Sequence, residues 1–500
     1  MQKIRTKILA TMGPAVANPE TLYSLFEAGV GICRLNFSHG ELSEHKKTLD
    51  LIRSTADKIG LPIAVLGDLC GPKIRLGKVK DTDGTGGIPV AVGDEIVVAR
   101  GNFIGEGKRV STILETFVDD VKIGDRVLVE DGMLRFLVTD KGRNEVTMRC
   151  NVGGILKSSK GINLPNTAIN VPSITDRDWE CVDWAVENNL DYLALSFVRH
   201  ANDLELLRGH LQYKRAKNIG LIAKIEKAEA IQELDAIIEA SDGLMVARGD
   251  LGVEMDPSQV PILQKDMITR CTKAGKPVIV ATQMLQSMIE NATPTRAEVS
   301  DVANAIFDGA DAVMLSAETS VGKFPLGAVH TMAHTAKVTE EYLDTHKPTN
   351  AEPPRLARLN NTTTALARGA WRIVNDLKIK LVVIWSQTGS TARVFSKHHF
   401  HCPIVALSSD EGVLRRLSLN FGILPHRMDK PQKMADLFHI VDDLVQAKKY
   451  AMEGDTILLV AGWSPAMPDT MNGIILHTVG ERWAALSPTG DGASASGATK

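Results

Sequence analysis

Two stretches of the chain break off in charge after an apolar run of strand length. They are Leu221-Ile222-Ala223-Lys224-Ile225-Glu226 and Met245-Val246-Ala247-Arg248-Gly249-Asp250. Lys224 and Glu226 stand two apart, so on a strand they point to one side, and Asp250 is expected to close the next strand. Carboxylates on neighbouring strand ends can hold a hard divalent cation, and an ammonium beside them can hold an anion. That combination suits a phosphorylated or carboxylated substrate. An edge-strand ion pair would use the same residue types. However, Leu221-Ile222-Ala223 reads as a central strand, where an unpaired charge is costly.

Other polar groups fall at similar places. Arg34-Leu35-Asn36-Phe37-Ser38-His39-Gly40 brings a guanidinium, an amide, a hydroxyl and an imidazole to one strand end. The planar fork of Arg34 matches phosphate oxygens, although Ser38 with Glu41 could simply cap a helix. Gly67-Asp68-Leu69-Cys70-Gly71-Pro72-Lys73-Ile74-Arg75 ends another strand, and Arg75 could reach a second phosphate. Gly-Pro would also make a plain turn there. The glycines around Asp250 allow backbone amides to approach an anion. Thr282, in Ala281-Thr282-Gln283-Met284, could join a proton relay, and Thr295 is a plausible helix cap. Farther on, Ser386-Gln387-Thr388-Gly389-Ser390-Thr391-Ala392-Arg393 puts hydroxyls and a glycine at a helix start, an arrangement that cradles phosphate.

The elements that must position these groups alternate from the start. Strands are expected at Lys7–Thr11, Ile32–Asn36, Ile63–Asp68, Tyr192–Phe197, Leu221–Glu226, Leu244–Gly249, Val278–Gln283 and Ala312–Ser316. Helices such as Pro19–Ala28, Ser43–Ile59, Asp203–Lys214, Ala228–Ala240, Gln259–Ala274 and Ala297–Phe307 follow them. Eight such units predict an α/β chain folded as a (β/α)8 barrel, whose chemistry sits at the C-terminal strand ends. Residues 72–171 break the pattern. Short strands at Glu95–Ala99, Arg126–Glu130, Leu134–Thr139 and Glu145–Asn151 predict a small all-β domain inserted as a lid, hinged near Pro72 and Pro172. The barrel then comprises residues 1–71 and 172–345. A C-terminal α/β regulatory domain is expected over 346–484, with strands near Leu381–Trp385, Ile404–Ala406, Ile457–Val460 and Ile474–Val479. Residues 485–500 have the composition of a disordered tail.

Five hundred residues fit two or three domains. A net charge of −3 gives no support for a general nucleic-acid surface, and no apolar run approaches the roughly 18 residues of a membrane span. The six cysteines form no Cys-x-x-Cys pair, which points to a reduced, cytoplasmic setting. Motifs for a P-loop, a serine hydrolase and a zincin are missing.

Taken in order, Arg34–Gly40, Gly71–Arg75, Lys160-Gly161-Ile162-Asn163-Leu164-Pro165, Lys224–Glu226, Ala247–Gly252, Ala281–Met284 and Pro294–Glu298 closely resemble the pyruvate kinase family, from about residue 4 to residue 480. The resemblance implies phosphoryl transfer from phosphoenolpyruvate to ADP. It implies Glu226 and Asp250 as ligands of Mg2+ (or Mn2+), and Lys224 as the group that neutralises the moving phosphoryl. Arg34 would bind the substrate phosphate, the amides of Gly249 and Asp250 its carboxylate, and Thr282 would serve the protonation step. Nucleotide contacts would come from Arg75, Lys160, Asn36, Ser38 and His39, with Thr11 and Pro14 flanking the adenine and Asp131 as a further lid candidate. A homotetramer with Arg296 at an interface is also implied, as is an effector at Ser386, Thr388, Gly389, Ser390 and Thr391.

Two departures stand out. Lys73 replaces the glutamate that many members carry, with Leu69 for a common threonine. Its ammonium could stand in for a monovalent cation beside Asn36, Ser38 and Asp68 and would repel K+. Similarity to the lysine-bearing subgroup therefore implies activity without K+. Val321 stands where several relatives have a lysine, so that nucleotide contact is not expected. A barrel lyase or aldolase acting on pyruvate enolates could share the carboxylates, but it needs neither Lys160 nor Arg75. A metabolite sensor on the same fold would not need Lys224.

Overall fold

The computed structural model describes residues 4–81, 84–165, 167, 171–346, 356, 361–431, 434–462 and 473–481. The expected tail at 485–500 and most of the expected linker lie outside these.

Eight parallel strands close a barrel: Lys7–Thr11, Val30–Asn36, Ala64–Asp68, Tyr192–Leu195, Gly220–Ile225, Gly243–Ala247, Val278–Ala281 and Ala312–Leu315. The first pairs with the last, Lys7 opposite Ala312. Their interior side chains, including Leu9, Ile32, Leu66, Ile222, Met245 and Ile279, pack one apolar cluster. The outward faces pack against the surrounding helices in a larger one.

Several expected boundaries shift for local reasons. The sixth strand ends at Ala247, because its ladder partner ends at Ala281. Asp250 therefore lies in the first turn of a helix, Arg248–Glu254, and does not close the strand. The seventh strand stops before Thr282 and Gln283, which both take positive φ. Ser38 is not a helix cap. The helix Leu42–Ile59 is capped at Glu41, whose N–H donates to Glu44, while the Ser38 N–H donates to the Asn36 side chain. The single helix expected at 228–240 is two, Ala228–Gln232 and Leu234–Ala240, interrupted at Glu233. Thr295 does cap Arg296–Phe307.

Between the third and fourth barrel strands the chain forms a six-stranded sheet and a two-stranded one. The alternating burial of Leu134–Lys141 and Glu145–Val152 gives this insertion its own core around Phe117 and Phe136. At the hinge, Gly71 has φ +67, and a Cβ there would come within 2.9 Å of Phe197. Asp178 Oδ1 accepts both the Cys70 and Gly71 N–H groups and fixes this crossing.

The C-terminal region carries a five-stranded sheet, Ile423–Arg427, Ile404–Ser408, Val382–Trp385, Thr456–Ala461 and Gly473–Thr478 in spatial order. Its last strand runs antiparallel to its neighbour. This unit closes the N-terminal end of the barrel. Leu419 is fully buried and joins the barrel's interior cluster. Around it, Tyr192 donates to the Arg416 carbonyl (2.7 Å) and Ser418 to the Pro62 carbonyl (2.5 Å). Lys397, fully buried, pairs with Asp311 at 2.5 Å. Arg415 and Arg53 share Asp191. We expect Leu419→Ala to cost about 2–5 kcal/mol, since the cavity would open inside two packed units at once. Denaturant unfolding should then show barrel and C-terminal signals falling to a lower midpoint. A loss below about 1 kcal/mol would refute the plug.

Candidate active site

The polar groups singled out on barrel strands converge at the C-terminal strand ends, around one carboxylate. Asp68 ends the third strand opposite Asn36 and is only 1% exposed. The second strand places Arg34 beside it, with Nε 2.6 Å from Asp68 Oδ2. Another nitrogen of Arg34 donates to Thr11 Oγ1 (3.1 Å), which itself donates to the Leu315 carbonyl. On the other side, Lys224 Nζ lies 3.1 Å from Asp68 Oδ1 and 3.1 Å from Glu226 Oε1. The Asp68 Oδ1 contact is an ion pair by distance but not an aligned hydrogen bond, so that oxygen keeps accepting capacity. Lys224 donates instead to Ser196 Oγ at 2.6 Å, and Ser196 donates to the Leu69 carbonyl.

Burial opposes all these charges, and the neighbours decide which survive. For Lys224, Asp68 and Glu226 outweigh burial and hold its pKa above the usual lysine value. For Asp68, Lys224 and Arg34 outweigh burial and hold its pKa below the usual carboxylate range. Glu226 is different. Burial, reinforced by Asp250, outweighs Lys224 and raises its pKa. The second oxygen of Glu226 accepts the Phe197 N–H at 2.7 Å, from a residue held at φ 54.

Arg34 and Lys224 supply two positive charges, and Asp68, Glu226 and Asp250 three negative ones. Of these carboxylates, Asp250 makes no hydrogen bond or ion pair with another described residue, leaving its oxygens available. Its field and that of Glu226 act on one another. Hard oxygen donors with a surplus of negative charge fit a divalent cation that draws its remaining ligands from substrate and water. Glu226 and Asp250 are the residues that could hold it.

Thr282 stands across this site at φ 69, an uncommon conformation for a β-branched residue. Three bonds keep it there. Its hydroxyl accepts the Gly249 N–H (2.7 Å) and donates to the Ala281 carbonyl, and its own carbonyl accepts from Arg248 (2.8 Å). Arg248 is anchored on Asp301 at 2.7 Å. The Gly249 amide, expected to face a carboxylate, is thus engaged by Thr282.

The remaining expected groups are more dispersed. Ser38, His39 and Pro14 are exposed, and Asn36 is half-buried. Arg75 donates to the Ser159 carbonyl, and Lys160 pairs with Glu130 at 2.6 Å, both within the insertion. Asp131, beside Glu130, is exposed at φ 53. Lys73 lies against Gly161, its Nζ 3.9 Å from where a Cβ would sit, and makes neither an ion pair with Asp68 nor a hydrogen bond with Asn36 or Ser38. In the C-terminal unit, Gly389 (φ 79) starts the helix Ser390–Ser396, Thr388 and Ser390 hydroxyls lie 3.1 Å apart, and Ser386 and Thr391 are buried.

Sequence reasoning overlooked Ser196 and Arg248. Ser196 had the signal used for Lys224, a polar residue directly after an apolar strand, Tyr192-Leu193-Ala194-Leu195. Arg248 lay inside a quoted motif but had no role until its bonds to Thr282 and Asp301 were seen.

A family model described as "Pyruvate kinase, barrel domain" matches residues 3–329, and one described as "Pyruvate kinase, alpha/beta domain" matches residues 364–477. A pyruvate kinase of Bacillus licheniformis is 39% identical over 482 residues, covering 95% of this chain and 81% of that protein. One of Staphylococcus haemolyticus is 39% identical over 492 residues, covering 98% and 83%. The crystal structure of a pyruvate kinase from Cryptosporidium parvum superposes with a TM-score of 0.87 at 32% identity, covering 95% of this chain and 96% of that one. With the barrel and its insertion matched by one family model, the C-terminal unit by the other, and the strand-end charges gathered around Asp68, the chain belongs to the pyruvate kinase family and is a phosphotransferase.

Proposed function

We propose that the chain transfers the phosphoryl group of phosphoenolpyruvate to ADP, giving pyruvate and ATP, without needing K+ and under control of a phosphorylated metabolite. The observation that carries the reaction is the buried Arg34–Asp68–Lys224–Glu226 cluster with Asp250 at its rim. Mg2+ (or Mn2+) held by Glu226 and Asp250 would supply Lewis-acid neutralisation of substrate oxygens. Lys224, kept charged by Asp68 and fixed by Ser196, balances charge on the phosphoryl in flight, which is positional and electrostatic catalysis. Arg34, aligned by Asp68 and Thr11, orients the phosphate. As the phosphoryl leaves its oxygen, the enolate carbon takes a proton, delivered through water beside Thr282. Residues 72–171 act as the lid that brings Arg75 and Lys160 to the nucleotide, and residues 346–484 as the regulatory unit. Arg296, exposed at a helix start, suits an interface of a homotetramer in the cytoplasm.

Two features support the finer points. Asp68 Oδ1 retains accepting capacity, and Lys73 follows the Gly71–Pro72 hinge, packed against Gly161 and lining the hinge cavity, its ammonium making no ion pair among the described residues. An inward swing of the hinge would give Asp68 the cation that K+ would otherwise supply. The exposed Thr388 and Ser390 hydroxyls, just before and at the start of a helix, suit an effector phosphate.

Pyruvate formation from phosphoenolpyruvate and ADP with Mg2+, in K+-free buffer, tests the reading. We expect full turnover there and a new K+ requirement in Lys73→Glu. Wild-type activity appearing only after K+ is added would keep the reaction and remove the lysine argument. Lys224→Gln should lower kcat by about 10²–10³-fold with the fold intact by circular dichroism, and a loss under tenfold would exclude its proposed role. The pair Thr388→Glu and Ser390→Glu should abolish activation by sugar phosphates or AMP while turnover without effector stays within about twofold. Unchanged activation curves would move the effector elsewhere.

A further inference from the structure

We infer that Asn163, Glu254 and Lys227 form a buried latch that seats the lid on the two segments carrying Glu226 and Asp250, and that they are positioning residues for the nucleotide. The inference rests on the phosphoryl-transfer reading above. Glu254 Oε1 accepts from Lys227 Nζ at 2.7 Å and from Asn163 Nδ2 at 3.0 Å. The three residues are 3%, 8% and 6% exposed, respectively. They come from separate parts of the chain. Lys227 directly follows Glu226. Glu254 lies four residues after Asp250 on the helix Arg248–Glu254, about one turn away on the same side. Asn163 belongs to the insertion, in the short strand Ile162–Asn163, three residues from Lys160.

A single carboxylate oxygen therefore joins both candidate ligand segments to the lid. The lid also comes near the same helix at a second point, since a Cβ added at Gly132 would lie 3.9 Å from Val253. Bond direction is what separates this contact from ordinary packing. An apolar patch could cover the same surface without desolvating three polar groups. An amide donating to a charged carboxylate instead fixes where the lid strand stops along the helix, and with it the reach of Lys160 over the site. The latch can also open. A cavity lined by Lys73, Ile162, Asn163, Phe197 and Lys227 adjoins it at the hinge. When the lid lifts, water can take the place of Asn163 at Glu254, and Lys227 stays with Glu254 so that no bare charge is left inside.

The test compares nucleotide and phosphoenolpyruvate in Asn163→Ala and Asn163→Asp, the latter setting a second carboxylate against Glu254. ADP affinity, by equilibrium titration with Mg2+ and by KM, should weaken about tenfold in Asn163→Ala and more in Asn163→Asp, as expected for losing a hydrogen bond to a charged group. Phosphoenolpyruvate affinity measured without ADP should stay within about twofold, and circular dichroism should show both variants folded. The double variant Asn163→Ala with Glu254→Gln should be no weaker for ADP than the weaker single variant. Equal losses for both ligands, additive losses in the double variant, or unaltered ADP binding would each overturn the latch. Wild-type protein that binds ADP but forms no pyruvate would reject the phosphoryl-transfer reading instead, and the titrations would still decide the latch.

Discussion

The C-terminal mouth of the barrel depends on a buried carboxylate that holds two cations apart and in place. Asp68 is nearly inaccessible, yet it stays ionised because Arg34 and Lys224 approach it from opposite sides. Without Asp68 the two cations would repel each other in a low-dielectric site, and Lys224 would lose a main source of its raised pKa. Such clusters are poor stabilisers, because well-packed apolar groups of similar volume often do better. Their value is geometric. Three strands end together, so three side chains meet at distances fixed by the backbone ladder, before any ligand arrives.

The opposite end of the barrel uses the same chemistry for another purpose. Asp191, Asp311 and Glu340 are buried near the N-terminal ends of strands and receive Arg53 with Arg415, Lys397, and Arg5. Most of these carboxylate oxygens also accept backbone N–H groups, such as Val65 for Asp191 and Val278 and Phe421 for Asp311. Here the partners are complete, and the apolar Leu419 fills the axis. At one end of the barrel the carboxylates are fully partnered and the C-terminal unit closes it, while the other keeps oxygens of Asp250 and Asp68 with capacity to spare. That asymmetry is the general rule of this fold, with chemistry at one face and stability at the other.

Much of this was legible from residue order. A buried parallel strand reads as an apolar run, and a charge at its end marks the mouth, which is how Arg34, Lys224 and Glu226 stood out, whereas Asp68 lay inside a quoted motif and its central place between two cations was not read. Asp250 was assigned to the wrong element, since it lies in a helix and not at a strand end. Glycine and charge after an apolar run do not reveal whether the ladder continues, and here it ends because the neighbouring strand ends. Ile423-Leu424-Pro425-His426-Arg427 was missed as a strand, since proline and two basic residues argue against a sheet interior. It is an edge strand, where a missing N–H costs no ladder bond. Long-range partners had no local signal. Nothing near Asn163 announces Glu254, and nothing near Leu419 announces the barrel axis.

The strained backbone at the mouth follows from the same division. Phe197, Thr282 and Gln283 adopt positive φ at or just past strand ends, at about 1–3 kcal/mol each for residues of their kind. Two of these positions serve the site directly: the Phe197 N–H reaches Glu226, and Thr282 is turned so that its hydroxyl meets the Gly249 amide. The fold can hold them because the surrounding groups are over-determined. Arg248 takes the Thr282 carbonyl while tied to Asp301, and the Met284 side chain beside it is fully buried. Relaxing Thr282 would therefore break several bonds at once. A mouth made only of relaxed turns could bury the same charges, but their donors would point along the strands instead of across the opening where a phosphate must pass.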